Sequence, residues 1–214
     1  MPLRTLRSSA LALALAALSV PLQAEAKVIG TLQDAYTDKA WSFFWNEVGQ
    51  YNDPSGYSPM VATNLGEEAA AQYTADASQP EWLFVGYISS GASPTYAGRV
   101  GGLPGPGIEQ SASKDRARAA AFAYTVPEDG TYAIEHSSLT NATESVDGLQ
   151  VDVILGGSQE TLLTQRTNPG TGESVKFDIS LGKLTKGDVF YIVISPRGNN
   201  YADIFAIDCD IVTK

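Results

Sequence analysis

The C-terminal stretch from Asp188 to Val212 constrains the fold more than any other part of the sequence. Its first half is a β-branched and aromatic run, Asp-Val-Phe-Tyr-Ile-Val-Ile-Ser, which ends at a Pro-Arg-Gly-Asn-Asn turn. In its second half the apolar residues occupy alternate positions: Phe205, Ile207, Cys209 and Ile211. Alternation with a period of two, bounded by turn residues, predicts β-strands. The stretch therefore predicts two strands and a sheet with one buried face and one solvated face.

The same alternation recurs upstream between tight turns. Apolar side chains alternate over residues 122–126, 132–136, 149–155 and 175–181, and residues 160–166 are compatible with a further short strand. About six or seven strands, with turns about 8 to 15 residues apart, are typical of an antiparallel sandwich or jelly roll. We therefore predict an all-β fold, an antiparallel β-sandwich that resembles a jelly roll.

The N-terminal half is expected to be rich in loops. Trp41, Phe43 and Trp45 alternate, which predicts a strand that presents three large rings to one face. Residues 81–89 predict another strand. The segment from Gly91 to Arg116 contains so many glycines and prolines that we predict a long irregular connection there.

The first 26 residues have the layout of a secretory signal peptide. Arg4 and Arg7 precede an apolar run from Ala10 to Val20, and Ala24-Glu25-Ala26 supplies a small-residue cleavage site. The run is shorter than the roughly 20 residues that a membrane-spanning helix needs, and we expect no membrane insertion. We predict a secreted or periplasmic protein in which residues 27–214 form one β-sandwich domain.

Charge and cysteine content narrow the functional classes. The formal net charge is −10, so nucleic acid and anionic membranes would repel the chain. Cys209 is the single cysteine, which excludes an internal disulfide, and we expect it to be buried because it shares a face with Ile207 and Ile211. A catalytic pair with the single histidine, His136, would require the two side chains to meet across the fold. Apolar filling is the favoured role for Cys209.

A recurring pattern of strand ends and turns resembles a known class of domain. It covers four segments: Tyr124–Ile134, Asp147–Val153, Thr185–Ile194 and Gly198–Asp203. The pattern is similar to the carbohydrate-binding-module-like β-sandwich domains of secreted bacterial polysaccharide-degrading enzymes and cell-surface proteins. In such modules an aromatic-rich segment like Trp41–Trp45 commonly precedes the pattern. The resemblance implies a β-sandwich fold and a polysaccharide partner.

Sugar binding needs flat apolar faces that stack on pyranose rings and a few polar groups that contact the hydroxyls. The predicted ligand-binding residues are the aromatic residues Trp41, Trp45, Tyr51, Tyr57, Trp82 and Tyr96, and Tyr87 is a further candidate. The tyrosines at positions 51, 57 and 96 lie in turn-rich stretches, where we expect greater exposure. The alternative for each tryptophan is a place in the core, because large rings dominate core burial.

Catalysis is the alternative to binding alone. A glycosidase needs two carboxylates across a cleft, and the available residues are Glu67, Glu68, Glu81, Asp203 and Asp208. A polysaccharide lyase would need a base and a group that neutralises a uronate, for which the sequence offers Tyr132, His136 and Arg197. No spacing singles out a catalytic set, and His136 follows an apolar face, which favours a structural role.

A structural calcium ion is a further alternative. Asp208 and Asp210 project from the same side of one predicted strand, and we expect Asp147 and Asp152 in or beside a neighbouring strand or turn. Carboxylate oxygens suit Ca²⁺, but the sequence contains no spaced loop motif such as an EF-hand. We therefore assign no cofactor from the sequence.

The sequence favours an exported, non-catalytic protein that recognises a polysaccharide through surface aromatic residues. Two alternatives stay open at this point. One is a small secreted polysaccharide lyase or hydrolase, and the other is a periplasmic or matrix domain that binds another protein. The oligomeric state does not follow from the sequence.

Overall fold

The computed structural model describes residues 26–46, 50, 52–63, 72–75, 83–87, 95, 98–105, 118–198 and 203–214. Across these residues fifteen strands, numbered β1 to β15 along the chain, form two antiparallel sheets that pack face to face. The predicted all-β antiparallel β-sandwich is therefore confirmed. In this part of the chain, no helix is long and apolar enough to cross a bilayer.

One sheet contains six of the described strands. In spatial order they are β11 (Glu160–Arg166), β10 (Leu149–Leu155), β14 (Val189–Pro196), β8 (Ala120–Thr125), β2 (Trp41–Asn46) and β3 (Tyr57–Pro59). The short edge strand β3 pairs only with residues 44–46 of β2. The first half of β2 therefore extends beyond the end of its neighbour.

The other sheet contains nine of the described strands. Seven of them follow the spatial order β12 (Ser174–Val175), β9 (Gly130–Asn141), β15 (Phe205–Thr213), β7 (Val100–Leu103), β6 (Phe84–Tyr87), β5 (Gln72–Thr74) and β4 (Val61–Thr63). The remaining two pair beside this row: β1 (Lys27–Thr31) with β15 and β13 (Ile179–Leu184) with β9. The long strands β9 and β15 make the centre of this sheet: they pair with each other, β9 also pairs with β12 and β13, and β15 also pairs with β1 and β7.

The apolar core lies between the two sheets. Phe122 of β8 and Phe205 of β15 meet edge to face with their ring centroids 6.3 Å apart, which connects the sheets directly. Both rings are fully buried, and burial of a side chain of this size stabilises the fold by about 1.5–3 kcal/mol. Cys209 lies in the same core with 1% of its surface exposed, as predicted. Burial raises the pKa of its thiol well above the ordinary value.

The closing stretch forms two strands, as predicted, but they belong to different sheets. Strand β14 lies inside the six-stranded sheet, and β15 lies inside the nine-stranded sheet. Residues 192–196 of β14 are all buried. A strand that is buried on both faces has a continuous apolar run rather than an alternating pattern, as β14 does. Strand β15 keeps the alternation, because Cys209 faces the core whereas Asp208 and Asp210 are half-buried on the outer face.

Strand β7 corrects the prediction of an irregular connection over Gly91–Arg116. Its Gly101 and Gly102 pair with β6 on one side and with β15 on the other. A Cβ at Gly102 would collide with the carbonyl oxygen of Phe84 and lie 3.0 Å from Cζ of Phe205. Glycine at this position permits a close approach of neighbouring elements, so the glycines that suggested a loop are part of a central strand.

We expect Gly102→Ala to destabilise the protein by about 1–3 kcal/mol, because the added methyl group meets backbone that cannot move away. The matched control is Gly157→Ala, where a Cβ would meet nothing within 4 Å. The control should change the free energy of unfolding by no more than about 0.5 kcal/mol. Denaturant unfolding of both variants checks the prediction, and equal losses would contradict it.

Candidate ligand-binding site

A surface depression of about 380 Å³ lies at the edge of the six-stranded sheet. It forms where β3 ends: the backbone N–H of Met60 donates to the carbonyl oxygen of Phe43 at 2.9 Å, and the chain then enters β4 in the other sheet. The aromatic lining comes from Tyr36, Trp41, Phe43, Phe44 and Tyr73. The polar lining comes from Thr37, Asp38, Lys39 and Ser42. We call this site the aromatic depression.

A hydrogen-bonded turn presents Tyr36 to the aromatic depression. The turn begins with a 3₁₀ segment over Leu32–Asp34, whose N-cap residue Thr31 accepts a hydrogen bond from the N–H of Gln33 at 3.3 Å. The carbonyl oxygen of Asp34 then accepts from the N–H groups of residues 37 and 38, at 2.9 and 2.8 Å. Asp38 closes the turn, because its Oδ1 accepts from the N–H of residue 40 at 2.9 Å. The turn is thus held by hydrogen bonds from its own backbone N–H groups to backbone and side-chain oxygens within it.

Four aromatic rings join this turn to both sheets. The ring of Tyr36 stacks on Phe43 of β2 at 4.9 Å between centroids and on Tyr73 of β5 at 6.1 Å. It also contacts Tyr87 of β6 at 5.0 Å, in a tilted arrangement. The hydroxyl of Tyr87 donates to the carbonyl oxygen of Gln33 at 3.1 Å, which anchors the start of the turn. The wall of the depression is therefore part of the packing between the sheets.

Two polar groups of the aromatic depression are buried without a hydrogen-bond partner in the part of the chain that the structure describes. They are the indole N–H of Trp41 and the hydroxyl of Tyr36. A buried donor left unpaired costs about 1–3 kcal/mol, so native proteins keep few of them. Burial, with smaller contributions from Tyr87 and Tyr73, raises the pKa of Tyr36 well above its ordinary value. The hydroxyl of Tyr36 therefore remains protonated and able to donate at neutral pH.

The predicted ligand-binding residues have different places in the structure. Trp41 is 4% exposed and lines the aromatic depression. Trp45 is half-buried against the core, and the guanidinium of Arg118 lies over its ring with Cζ 5.5 Å from the centroid. Tyr51, Trp82 and Tyr96 lie outside the described residues.

Tyr57 lies elsewhere, on the outer face of the six-stranded sheet. Its ring meets that of Tyr191 edge to face at 5.3 Å between centroids. Burial raises the pKa of Tyr57, and the charge of Asp152 adds to the shift. The aromatic depression brings together Trp41 with Tyr36 and Tyr73, which were not among the predicted ligand-binding residues. Tyr36 belongs to the aromatic-rich start of the chain, whereas nothing local to Tyr73 indicates that it meets this segment.

The structure does not bring the predicted lyase residues together. Tyr132 is buried, and its hydroxyl donates to the carbonyl oxygen of Glu128 at 2.6 Å. His136 is on the outer surface of the nine-stranded sheet, where Nδ1 lies 2.9 Å from Oδ2 of Asp210. Arg197 follows β14 of the other sheet and donates to the carbonyl oxygen of Asp147 at 2.7 Å.

The expectation that His136 continues an apolar face was wrong. Its φ angle is 53°, and the register between β9 and β15 shifts at this point, which marks a β-bulge. The extra residue turns the side chain outward, and 75% of its surface is exposed. After the bulge the odd-numbered residues of β9 face inward, as buried Ser137 and Leu139 show.

Of the two described carboxylates suggested for hydrolysis, Asp203 has the more unusual environment. It is fully buried, and its Oδ1 accepts a hydrogen bond from Ser145 Oγ at 2.6 Å. Burial raises the pKa of Asp203 to about 7; the hydrogen bond from Ser145 opposes this shift and nearby Asp147 adds to it. Asp208 lies on the outer face of the nine-stranded sheet, where it is paired with Ser138 of β9. Glu67, Glu68 and Glu81 lie outside the described residues.

The four aspartates considered for calcium do not form one group. Asp208 and Asp210 lie on β15, whereas Asp152 lies on β10 of the other sheet, so the expectation of a neighbouring strand was wrong. Asp152 is buried and accepts hydrogen bonds from Thr164 and from Nε2 of Gln150. Across the described ranges, no cluster of three or more Asp, Glu, His or Cys side chains could hold a metal ion.

Comparison with known proteins gives weak structural similarities. No protein-family model matches the sequence, and no curated protein matches it. The C-terminal CBM6 module of LamC, a marine laminarinase from Zobellia galactanivorans, is 18% identical over 45% of this chain and 73% of the module, with a TM-score of 0.28. The K3 cleaved adhesin domain of Lys-gingipain from Porphyromonas gingivalis is 10% identical over 88% of this chain and 99% of the domain, with a TM-score of 0.39.

A cyclase from Fischerella sp. is 11% identical over 88% of this chain and 98% of the cyclase, with a TM-score of 0.38. The two antiparallel sheets of the chain itself establish the β-sandwich fold that the sequence resemblance implied.

Asp203 predicts a pH-dependent contribution to stability. Its pKa is about 7 in the folded protein, against an ordinary value of 3.8, so between these pH values the folded state binds a proton that the unfolded state has lost. The contribution of Asp203 to the free energy of unfolding should therefore fall as pH rises from about 4 to about 7, then stay constant. Asp203→Asn keeps an acceptor for Ser145 and does not titrate. In thermal unfolding, the stability of the variant relative to that of the wild type should increase as pH rises across this window. A difference in stability that does not change with pH would contradict the assignment.

Proposed function

We propose that the protein is an exported, non-catalytic polysaccharide-binding β-sandwich whose ligand binds in the aromatic depression. One observation carries the proposal: the indole N–H of Trp41 and the hydroxyl of Tyr36 are buried and unpaired, within the described part of the chain, at a depression lined by aromatic rings. A sugar meets both needs of such a site. Its C–H faces pack on aromatic rings, and its hydroxyl oxygens accept hydrogen bonds from the two donors.

The size and polarity of the aromatic depression support this assignment. Its volume of about 380 Å³ falls in the range of small-molecule sites, about 300–1,000 Å³, which combine an apolar lining with a few polar groups. Thr37 and Lys39 are exposed at the depression and can contact sugar hydroxyls from the solvent side. The site thus provides both the stacking surface and the hydrogen-bonding groups that recognition of a saccharide requires.

The number of carboxylates at the site favours a binding role over glycoside hydrolysis. Among the described residues that line the depression, Asp38 is the single carboxylate, and its Oδ1 accepts a hydrogen bond within the turn. Glycoside hydrolysis by the common mechanisms uses two carboxylates on opposite sides of the scissile bond. The signal-peptide layout of residues 1–26 supports export, which would bring the protein into contact with polysaccharides.

Removing the two donors tests the proposal. Tyr36→Phe and Trp41→Phe each delete one donor and keep an aromatic ring. Each should weaken binding to the recognised polysaccharide by about 1–2 kcal/mol, or roughly five- to thirtyfold in Kd. Affinity electrophoresis against neutral and anionic polysaccharides identifies the ligand, and calorimetric titration measures the loss. Because Tyr36→Phe removes a buried unpaired group, its unfolding midpoint should equal or exceed that of the wild type.

Tyr191→Phe is the matched control, because Tyr191 is also an aromatic residue on a strand but does not line the depression. It should leave the binding constant unchanged. Full binding by the Tyr36 and Trp41 variants, or the absence of binding to every polysaccharide tested, would overturn the proposal. Release of reducing ends or of unsaturated products by the wild type would overturn the non-catalytic role.

A further inference from the structure

A second depression, of about 420 Å³, lies next to the aromatic depression. Strand β1 lines it with Val28, Ile29, Gly30 and Thr31, and the turn lines it with Asp34, Thr37 and Asp38. We call it the β1 depression. Thr37 and Asp38 line both depressions, so the two lie on either side of the same turn.

The boundary between the two depressions is held firmly. The carbonyl oxygen of Asp34 accepts from the N–H of Asp38, and the carbonyl oxygen of Asp38 accepts from the N–H of Trp41 at 3.1 Å. Below the turn, Leu32 is 0% exposed and Ala35 is 2% exposed, which anchors it in the core. Thr37 and Asp38 therefore form a fixed ridge between the two depressions.

The two depressions offer complementary hydrogen-bonding groups. The aromatic depression is lined by Tyr36 and Trp41, which carry the two unpaired donors, and by Asp38; the β1 depression shares Asp38 and adds the carboxylate of Asp34, and both carboxylates accept from hydroxyl groups. A neutral sugar chain carries hydroxyls that can accept in the first and donate in the second. A uronate or sulfate group in the β1 depression would face two carboxylates on a protein of net charge −10.

We propose that the ligand is a chain of neutral sugars that crosses the Thr37–Asp38 ridge and occupies both depressions. This inference rests on the proposed polysaccharide-binding function and specifies the length and charge of the ligand. A single sugar can fill only one depression, whereas a chain of two or more units gains contacts in the second. Strand β1 and the turn are therefore an extension of the binding site.

The test is a calorimetric titration of the full-length protein with neutral oligosaccharides of increasing length, cut from the polysaccharide that binds. Affinity should rise at least tenfold between the monosaccharide and the longest oligosaccharide. Asp34→Ala should weaken binding of the longest oligosaccharide roughly tenfold, as expected for loss of a charged acceptor, and leave binding of the shortest ligand unchanged. Val28→Arg, at a residue that is 51% exposed, should cause the same selective loss by filling the β1 depression.

Glu144→Ala is the matched control, since Glu144 is an exposed carboxylate that lines neither depression. Its affinity for each oligosaccharide should equal that of the wild type. Affinity that does not depend on chain length, or long-chain binding that is insensitive to both β1-depression variants, would overturn the inference while leaving the proposed function intact. If anionic oligosaccharides of matched length bound with the same affinity as neutral ones, the inference that the ligand is neutral would be overturned. No binding to any glycan would overturn both the inference and the proposed function.

Discussion

The structure depends on aromatic rings that pack between the two sheets. Phe122 connects them at the centre, because it contacts Phe205 of the nine-stranded sheet and lies 5.7 Å from Phe43 of its own sheet. Phe43 in turn packs on Tyr36 and Tyr73 at the wall of the aromatic depression. The candidate site is thus an extension of the hydrophobic core to the surface, and its rings are positioned by the same contacts that hold the sandwich together.

Buried polar groups are paired at some positions and unpaired at others. Oγ of Ser145 donates to Oδ1 of Asp203, and Ser137 Oγ donates to Asp178 while accepting from the N–H of Phe177. Within the described part of the chain, Oδ2 of Asp203, Oγ of Ser195 and the donors of Tyr36 and Trp41 have no partner. Proteins tolerate such locally unfavourable features mainly at functional sites. Among these residues, Tyr36 and Trp41 also line a depression with aromatic walls, which is the physical reason for placing the ligand here.

Two sequence predictions failed for the same reason: side-chain direction and strand partnership depend on neighbouring strands. The glycines at 101 and 102 suggested a loop, but they allow β7 to lie close to Phe84 and Phe205. His136 followed the inward period of β9, but the bulge opposite Cys209 turns it outward. Neither a close approach between strands nor an extra residue in one of them is visible in a local hydrophobic pattern.

The sequence alone determined the fold class, the burial of Cys209 and most strands of the C-terminal half, because period-two alternation and turn residues are local properties. It also singled out Trp41. Only the tertiary structure decided that β14 and β15 belong to different sheets, and that Trp41, Tyr36 and Tyr73 line one depression. Tyr73 lies far from Tyr36 and Trp41 in the chain, and the depression forms where β3 ends and the chain crosses between the sheets. A binding surface made by such a crossing is a property of the packed sheets, and no single segment encodes it.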